Sequence, residues 1–415
     1  MDLINRYFLS ALKASLQGVP APIEDDLTTE QWEVLIQQAT EQNVLPMICA
    51  AICDNPSLVR NHPALLATVK QTASRKIAVQ ARKTSEFLAL QKRFISAELR
   101  PLVVKGLICR NLYPDPNARE SSDEDLLILP DDFNACHGVM ITSGLETSTE
   151  PEKIAYSYEV PYEKSGSPLY IELHRSLFPP ESHAYGDFNR FFEKVHDRSI
   201  EQEIDGVTVR TMCPTDHFFY LICHAFKHFL HSGFGIRLVC DVALYANAYG
   251  HQLDWAKIVA NCRAIHAEGF CMAMLRIGWK YLTLDVEQAC LPPVWRDLKV
   301  DETLMLEDLL EGGLYGDADL NRKHSSSITL DAMAAEKEGR RAKFGLLASL
   351  FPSYRIMAVR FRYLEKAPWL LPFAWIHRML LLKKDRRSDP GINTADTLKI
   401  GRERVEMMRS YGIIK

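Results

Sequence analysis

Three things are scarce in this 415-residue chain: paired cysteine spacings, long apolar runs and internal repeats. The ten cysteines are scattered, and only Cys49 and Cys53 stand close, one helical turn apart. With no CxxC the reading is free thiols in a reducing compartment, not a disulfide framework or a cysteine zinc site. No stretch reaches the ~18 apolar residues that a membrane-spanning helix requires. The nearest, Trp369 to Leu382, is interrupted by Pro372, His377 and Arg378. The first residues, MDLINRYFLSALKASLQG, are amphipathic and carry Asp2, a poor signal peptide, so a cytoplasmic location is expected. An apolar content of 47% and a charged content of 25% are those of an ordinary soluble globular protein, long enough for two or three domains.

The net charge of −4 is unevenly spread. Residues 336–415 carry 18 Lys+Arg against 8 Asp+Glu, a balance of +10, which leaves −14 on the rest. A basic end on an acidic body suits a solvated helical face first, and contact with nucleic acid or another anionic surface second. Within it, PWLLPFAWIHRMLLLKKDRR at 368–387 reads as a core helix, with a membrane interface as the alternative.

Residues 1–100 read as helices. Thr28-Thr29-Glu30-Gln31 resembles a capping box, and Trp32, Leu35, Ile36 and Ala39 follow as a core stripe. Arg75 to Glu98 is a second long helical stretch. The pattern changes at Pro101. Leu102 to Val104 reads as a strand, Gly106 to Tyr113 as a helix stopped by Pro114 and Pro116, and Asp125 to Leu129 as a second strand. Asp131 to Thr142 is helical. Ile154 to Tyr162 and Leu169 to His174 read as paired strands about the turn 164–167, with Tyr170, Glu172 and His174 on one face. Val207 to Arg210 reads as an edge strand. Helices resume at Pro214, through Arg237–Tyr249 and Trp255–Ala267. Tyr315 to Leu330 reads as an exposed polar loop. The expected architecture is α+β: a helical region over 1–100, a core with a small mixed sheet over 101–212, a helical region closing the site over 213–330, and a basic helical region over 331–415.

Asp123 and Asp125 stand two apart at a strand edge, so both carboxylates reach the same side of a sheet. Paired oxygen ligands hold divalent metals. Two such metals clamp the attacking and leaving oxygens of a phosphoryl displacement, which calls for a third acid. Glu172 is the candidate, as ligand and as acceptor of the attacking hydroxyl's proton. One strand earlier, Gly106 opens a helix and permits close backbone approach to phosphate, and Lys105 adds a point charge. Arg119 precedes the acids, placed for the triphosphate or for a pair with one of them. On the helix after Pro214, His224 and His228 share a face with Lys227 nearby. Zinc finds no standard spacing there, whereas phosphate contact by Lys227 and His228, or plain packing with Asp241 or Arg237, suits the types. His174 is read either as orienting Glu172, as touching substrate, or as a satisfied structural histidine.

These residues carry a resemblance. VVKGLICRNLYPDPNARESSDEDLLIL is similar to the signature of a bacterial family usually described as uncharacterised nucleotidyltransferases, within the DNA polymerase β-like superfamily. In that family a Lys-Gly turn stands where the wider superfamily has Gly-Ser, followed by a Tyr-Pro loop, an Arg and an acid-x-acid strand. IELHR at 171–175, LICHAFKHFLHSGFGIRLVCDVALYA at 221–246 and LFPSYRIMAVRFRYLEKAPWLLPFAWIHRML at 350–380 resemble its later segments. The resemblance implies transfer of a nucleoside monophosphate from an NTP such as ATP to an acceptor, with magnesium or manganese and release of pyrophosphate. It makes Asp123, Asp125 and Glu172 the metal-binding carboxylates and Lys105-Gly106 the triphosphate turn. One departure is local: Ser122 and Glu124 stand where the pattern usually has Gly and an apolar residue, and Glu124 is expected to point away from the site. Two rival functions remain at this level, a glycosyltransferase using a nucleotide sugar and a degenerate nucleotidyltransferase fold acting as a binding module. The acceptor is a small molecule, a peptide or protein hydroxyl, or an RNA end.

Overall fold

The structure is a computed structural model and describes residues 1–312, 320–339, 363–388 and 394–415, with single positions between 351 and 361. A mixed six-stranded sheet lies among helices that precede and follow it.

The first layer is helical. α1 (Leu3–Gln17) is capped by Asp2, which accepts from the Asn5 amide, and ends at Gly18 in a left-handed conformation, φ 69°. α2 (Thr29–Glu41) opens on the expected capping box: the Thr28 amide donates to Gln31 Oε1 at 2.9 Å, and Thr28 Oγ1 accepts from the Gln31 amide. Trp32, Leu35 and Ala39 are buried as the stripe requires. α3 (Leu45–Ile52) and α4 (Pro56–Asn61) lead to α5 (Pro63–Ser96), which begins earlier than the sequence pattern suggested because Pro63 serves as its first-turn residue.

The sheet order is β3-β4-β2-β1-β6-β5. β1 (Leu102–Val104) is buried throughout and pairs antiparallel with β2 (Glu124–Leu127) and parallel with β6 (Val207–Thr211). Between β1 and β2 lies the short α6 (Gly106–Arg110). β2 runs parallel to β4 (Tyr170–His174), with Asp125 opposite Glu172 and Leu127 opposite His174. β3 (Glu159–Glu163) closes that edge antiparallel to β4, with Glu159 opposite His174. The other edge is β5 (Ile200–Ile204), joined to β6 through Asp205 and Gly206, both at positive φ as a two-residue hairpin turn requires. Val207 to Thr211 is therefore an interior strand and not the expected edge. The missed β5 was signalled by the Asp-Gly turn.

Between β2 and β3 come α7 (Phe133–Thr142) and α8 (Pro151–Ile154), and after β6 the later helices: α9 (Pro214–His231), α10 (Ile236–Tyr249), α11 (Trp255–Ala264), α12 (Glu268–Tyr281), α13 (Pro293–Arg296) and α14 (Thr303–Gly312). α9 is buried almost throughout and carries the Phe218, Phe226 and Phe229 rings into the core. α15 (Leu320–Lys337) corrects the expected loop over 315–330 for the part that is described. Its polar run misleads because hydroxyls within it find carbonyls: Ser325 donates to the Arg322 carbonyl, and Thr329 donates to the Leu230 carbonyl of α9. α16 (Tyr363–Lys366), α17 (Leu371–Ser388) and α18 (Thr394–Ser410) complete the chain. No helix among the described residues is long and apolar enough to cross a membrane.

Candidate active site

The tight link between β1 and α6 sets the site. Lys105 sits there with φ 51° and ψ −117°, a backbone conformation that costs a non-glycine residue about 1–3 kcal/mol. Its amide donates to His217 Nε2 at 3.0 Å, which fixes the turn against α9. The side chain returns along β2. Its Nζ lies 2.7 Å from Asp125 Oδ2, 3.9 Å from Asp123 Oδ2 and 3.1 Å from His224 Nε2.

Strand register brings the next groups together. Asp125 and Glu172 are directly paired across β2 and β4, and His174 is two residues on, on the same face. His174 Nε2 lies 3.0 Å from Asp125 Oδ1 and 3.4 Å from Glu172 Oε2, while its Nδ1 faces Glu159 at 3.7 Å. One ligand atom from each of Asp125, Glu172 and His174 falls within 4.8 Å of the other two, a grouping that could hold a metal ion. Asp123, expected in this group, stands just before β2 at its rim, where it accepts from Ser122 Oγ at 2.9 Å.

The electrostatics follow from burial and from the two cations. Burial pushes the Asp125 carboxyl up against the pull of Lys105. Burial acts on Asp123 in the same sense, but the Lys105 ammonium and the Ser122 hydrogen bond outweigh it and hold that carboxyl well below the usual range. Burial opposes charge on His174, yet hydrogen bonds to Asp125 and Glu172 push it up to about 9, so at neutral pH the imidazole is protonated. A cation entering here would have to take the place of that proton or of the Lys105 ammonium.

α9 supplies the facing wall. His224 and His228 lie one turn apart with their Nε2 atoms 3.1 Å from each other. Burial, reinforced by nearby Lys105 and Lys227, drives both well below the usual histidine range and keeps them neutral. His224 Nδ1 makes no hydrogen bond among the described residues. Lys227 is half-buried on the same turn, its pKa lowered by burial and by the Lys105 charge.

Two expected site residues are spoken for elsewhere. Arg119 grips Asp241 of α10 with Nε at 2.9 Å and a terminal nitrogen at 2.5 Å, and Tyr113 donates to the same carboxylate at 2.7 Å. The guanidinium thus ties the loop before the acids to α10 and faces neither Asp123 nor Asp125. At Gly106 the group that approaches closely is Glu124: a Cβ there would stand 2.3 Å from Glu124 Oε2. That carboxylate accepts from the Leu107 amide at 3.1 Å and pairs with Arg110 at 2.6 Å, wholly buried. Glu124 lies off the Asp125 face, as strand alternation demands.

The family model described as an uncharacterised nucleotidyltransferase matches residues 28–282. The chain belongs to that family. Among curated proteins and among solved structures nothing matches. The family match covers α2 through α12, and so includes the Lys105 turn, the carboxylates of β2 and β4, and the α9 wall. Sequence reasoning missed Glu159 and assigned His174 no metal. The signal for His174 was alternation, since Glu172 and His174 share a strand face; Glu159 enters only through its register with β4.

Proposed function

We propose that this member of the nucleotidyltransferase family transfers a nucleoside monophosphate from an NTP to a hydroxyl acceptor and releases pyrophosphate. The observation that carries the reading is the convergence of Asp125, Glu172 and His174 beside the ammonium of a lysine held at positive φ. Glycine would occupy that backbone conformation without cost, so a lysine there is explained by its side chain.

Two carboxylates and an imidazole, with Asp123 at the rim, fit a divalent cation such as magnesium or manganese. Bound there, it would neutralise charge on the phosphates and polarise the phosphorus under attack. Lys105 and Lys227 are the cations placed to meet a triphosphate, with His228 beside them. Glu172, a quarter exposed, is placed to take the acceptor's proton. In the balanced reaction the hydroxyl oxygen bonds to the α-phosphorus, the bond to the bridging α–β oxygen breaks, and its electron pair leaves with pyrophosphate.

The test is pyrophosphate release from each of ATP, GTP, CTP and UTP with magnesium, wild type against Asp123→Ala/Asp125→Ala, with intact protein mass read afterward. Release that requires the acids supports the reading, and a mass gain identifies the protein itself as acceptor. Silence with every NTP, together with no magnesium-dependent NTP binding, refutes it.

A further inference from the structure

α17 is apolar on two faces. On one side Ala374 is fully buried and Leu371 and Leu381 pack on a small cluster of Met357, Phe361 and Leu364, separate from the main core. On the other side Phe373, Ile376 and Leu380 are 64%, 51% and 61% exposed, and Trp369 in the turn just before them is 74% exposed. At 3.6 residues per turn, Phe373, Ile376 and Leu380 fall within an arc of about 60°, centred about 110–130° around the helix from Ala374 and Leu381. Isolated exposed apolar residues are ordinary, but three on one helix face with Trp369 in the preceding turn form a contiguous patch of the kind that marks an interaction site. The sequence places Lys383, Lys384, Arg386 and Arg387 on the last turns of the same helix.

We propose that this stripe docks on the surface of a bilayer rich in anionic phospholipid. Charge selects the occupant. A second copy of the chain would set one +10 segment against another, whereas an anionic surface attracts it. The same surface repels the remaining −14, so the molecule would approach by this end. Side-chain type selects it too. Trp, Phe, Ile and Leu bury well at the boundary of headgroups and acyl chains. Nucleic acid would leave the aliphatic Ile376 and Leu380 uncovered, because its phosphates and base edges seek polar partners. The apolar stripe covers only about two turns of α17, which suits lying in an interface and not spanning it. The inference rests on this helix and on the charge of the segment that carries it, and is independent of the chemistry proposed for the site.

The experiment is co-sedimentation of the full chain with phosphatidylcholine vesicles, with and without about one third phosphatidylglycerol. Binding to the anionic vesicles at least about tenfold tighter than to neutral ones, and weakened by salt, is expected. Phe373→Glu/Ile376→Glu should lower it about tenfold or more, and Lys383→Glu/Lys384→Glu, which leaves the stripe intact, should lower it as well. Because Phe373 and Ile376 are exposed, circular dichroism and urea unfolding of that variant should match wild type. Absence of binding to anionic vesicles overturns the proposal, as does binding that both double variants retain. Self-association abolished by Phe373→Glu/Ile376→Glu, with no vesicle binding, would assign the stripe to a second copy and also overturn it.

Discussion

Replacing Glu124 by alanine isolates what the second acid in Asp123-Glu124-Asp125 does. The Glu124 carboxylate is wholly buried, 2.6 Å from the Arg110 guanidinium, itself 1% exposed, and it accepts from the Leu107 amide. Removing one partner of a buried ion pair costs about 3–5 kcal/mol, because the other charge stays in the protein uncompensated. The lost hydrogen bond from Leu107 adds about 1 kcal/mol. A loss of about 4 kcal/mol is a large part of the roughly 5–15 kcal/mol that holds a fold together. With a slope of roughly 3 kcal/mol per M it lowers the urea midpoint by about 1 M or more. Arg110→Met/Glu124→Leu should recover most of that, since apolar replacement of both partners is often neutral. Gly106→Ala provides the cross-check. Its new methyl would stand 2.3 Å from the carboxylate, an overpacking worth about 1–3 kcal/mol. In the Glu124→Ala background that clash is gone, and alanine's better helix propensity, up to about 1 kcal/mol, remains. The pair should therefore couple by about 2 kcal/mol, and manganese binding measured by calorimetry should be unchanged in Glu124→Ala. Additive effects within about 0.5 kcal/mol, or lost metal binding with stability intact, would refute the placement of Glu124.

Other outcomes follow from the same geometry. Lys105→Met leaves Asp123 and Asp125 without their shared ammonium, so manganese should bind at least about tenfold tighter than to wild type and, at saturating concentration, stabilise the variant by about 1.4 kcal/mol more; stabilisation no larger than that of wild type refutes the idea. Asp125→Asn and Glu172→Gln should each weaken manganese binding at least about tenfold by calorimetry, and unchanged affinity in both would remove the site. Burial pulls His217 down to about 3 from 6.5. Below about 6.5 the unfolded chain takes a proton that the folded chain refuses, so stability falls with falling pH at up to about 1.4 kcal/mol per unit. His217→Gln should flatten that slope between pH 6 and pH 4 in urea titrations, and an unchanged slope counts against a neutral, buried His217.

What could be read along the chain was local. The capping box at Thr28, the stripe Trp32, Leu35 and Ala39, and the shared face of Glu172 and His174 all depend on spacings of a few residues, which backbone geometry fixes by itself. What escaped depends on tertiary neighbours. Arg119 and Asp241 are 122 positions apart, and nothing near either announces the other. Glu124 is expected to point away from the site, but its partners, Arg110 and the Leu107 amide, come into view only once α6 folds back over it. Glu159 joins the site only because β3 pairs with β4 in one register. The serines of α15 read as loop because composition does not show which hydroxyls will find a carbonyl.

The Lys105 ammonium sits where an incoming metal would have to go. A cation tethered to the backbone already balances Asp123 and Asp125, so this part of the sheet can fold before any ion is captured. On the proposed reading, a metal arrives as a competitor of that tether. A side chain anchored beside its target acts at an effective concentration in the millimolar range or above, so an incoming ion gains only the difference between two cations. Occupancy would then follow whichever divalent ion is abundant and arrives chelated by a triphosphate, with the displaced ammonium left facing the phosphates that came with it.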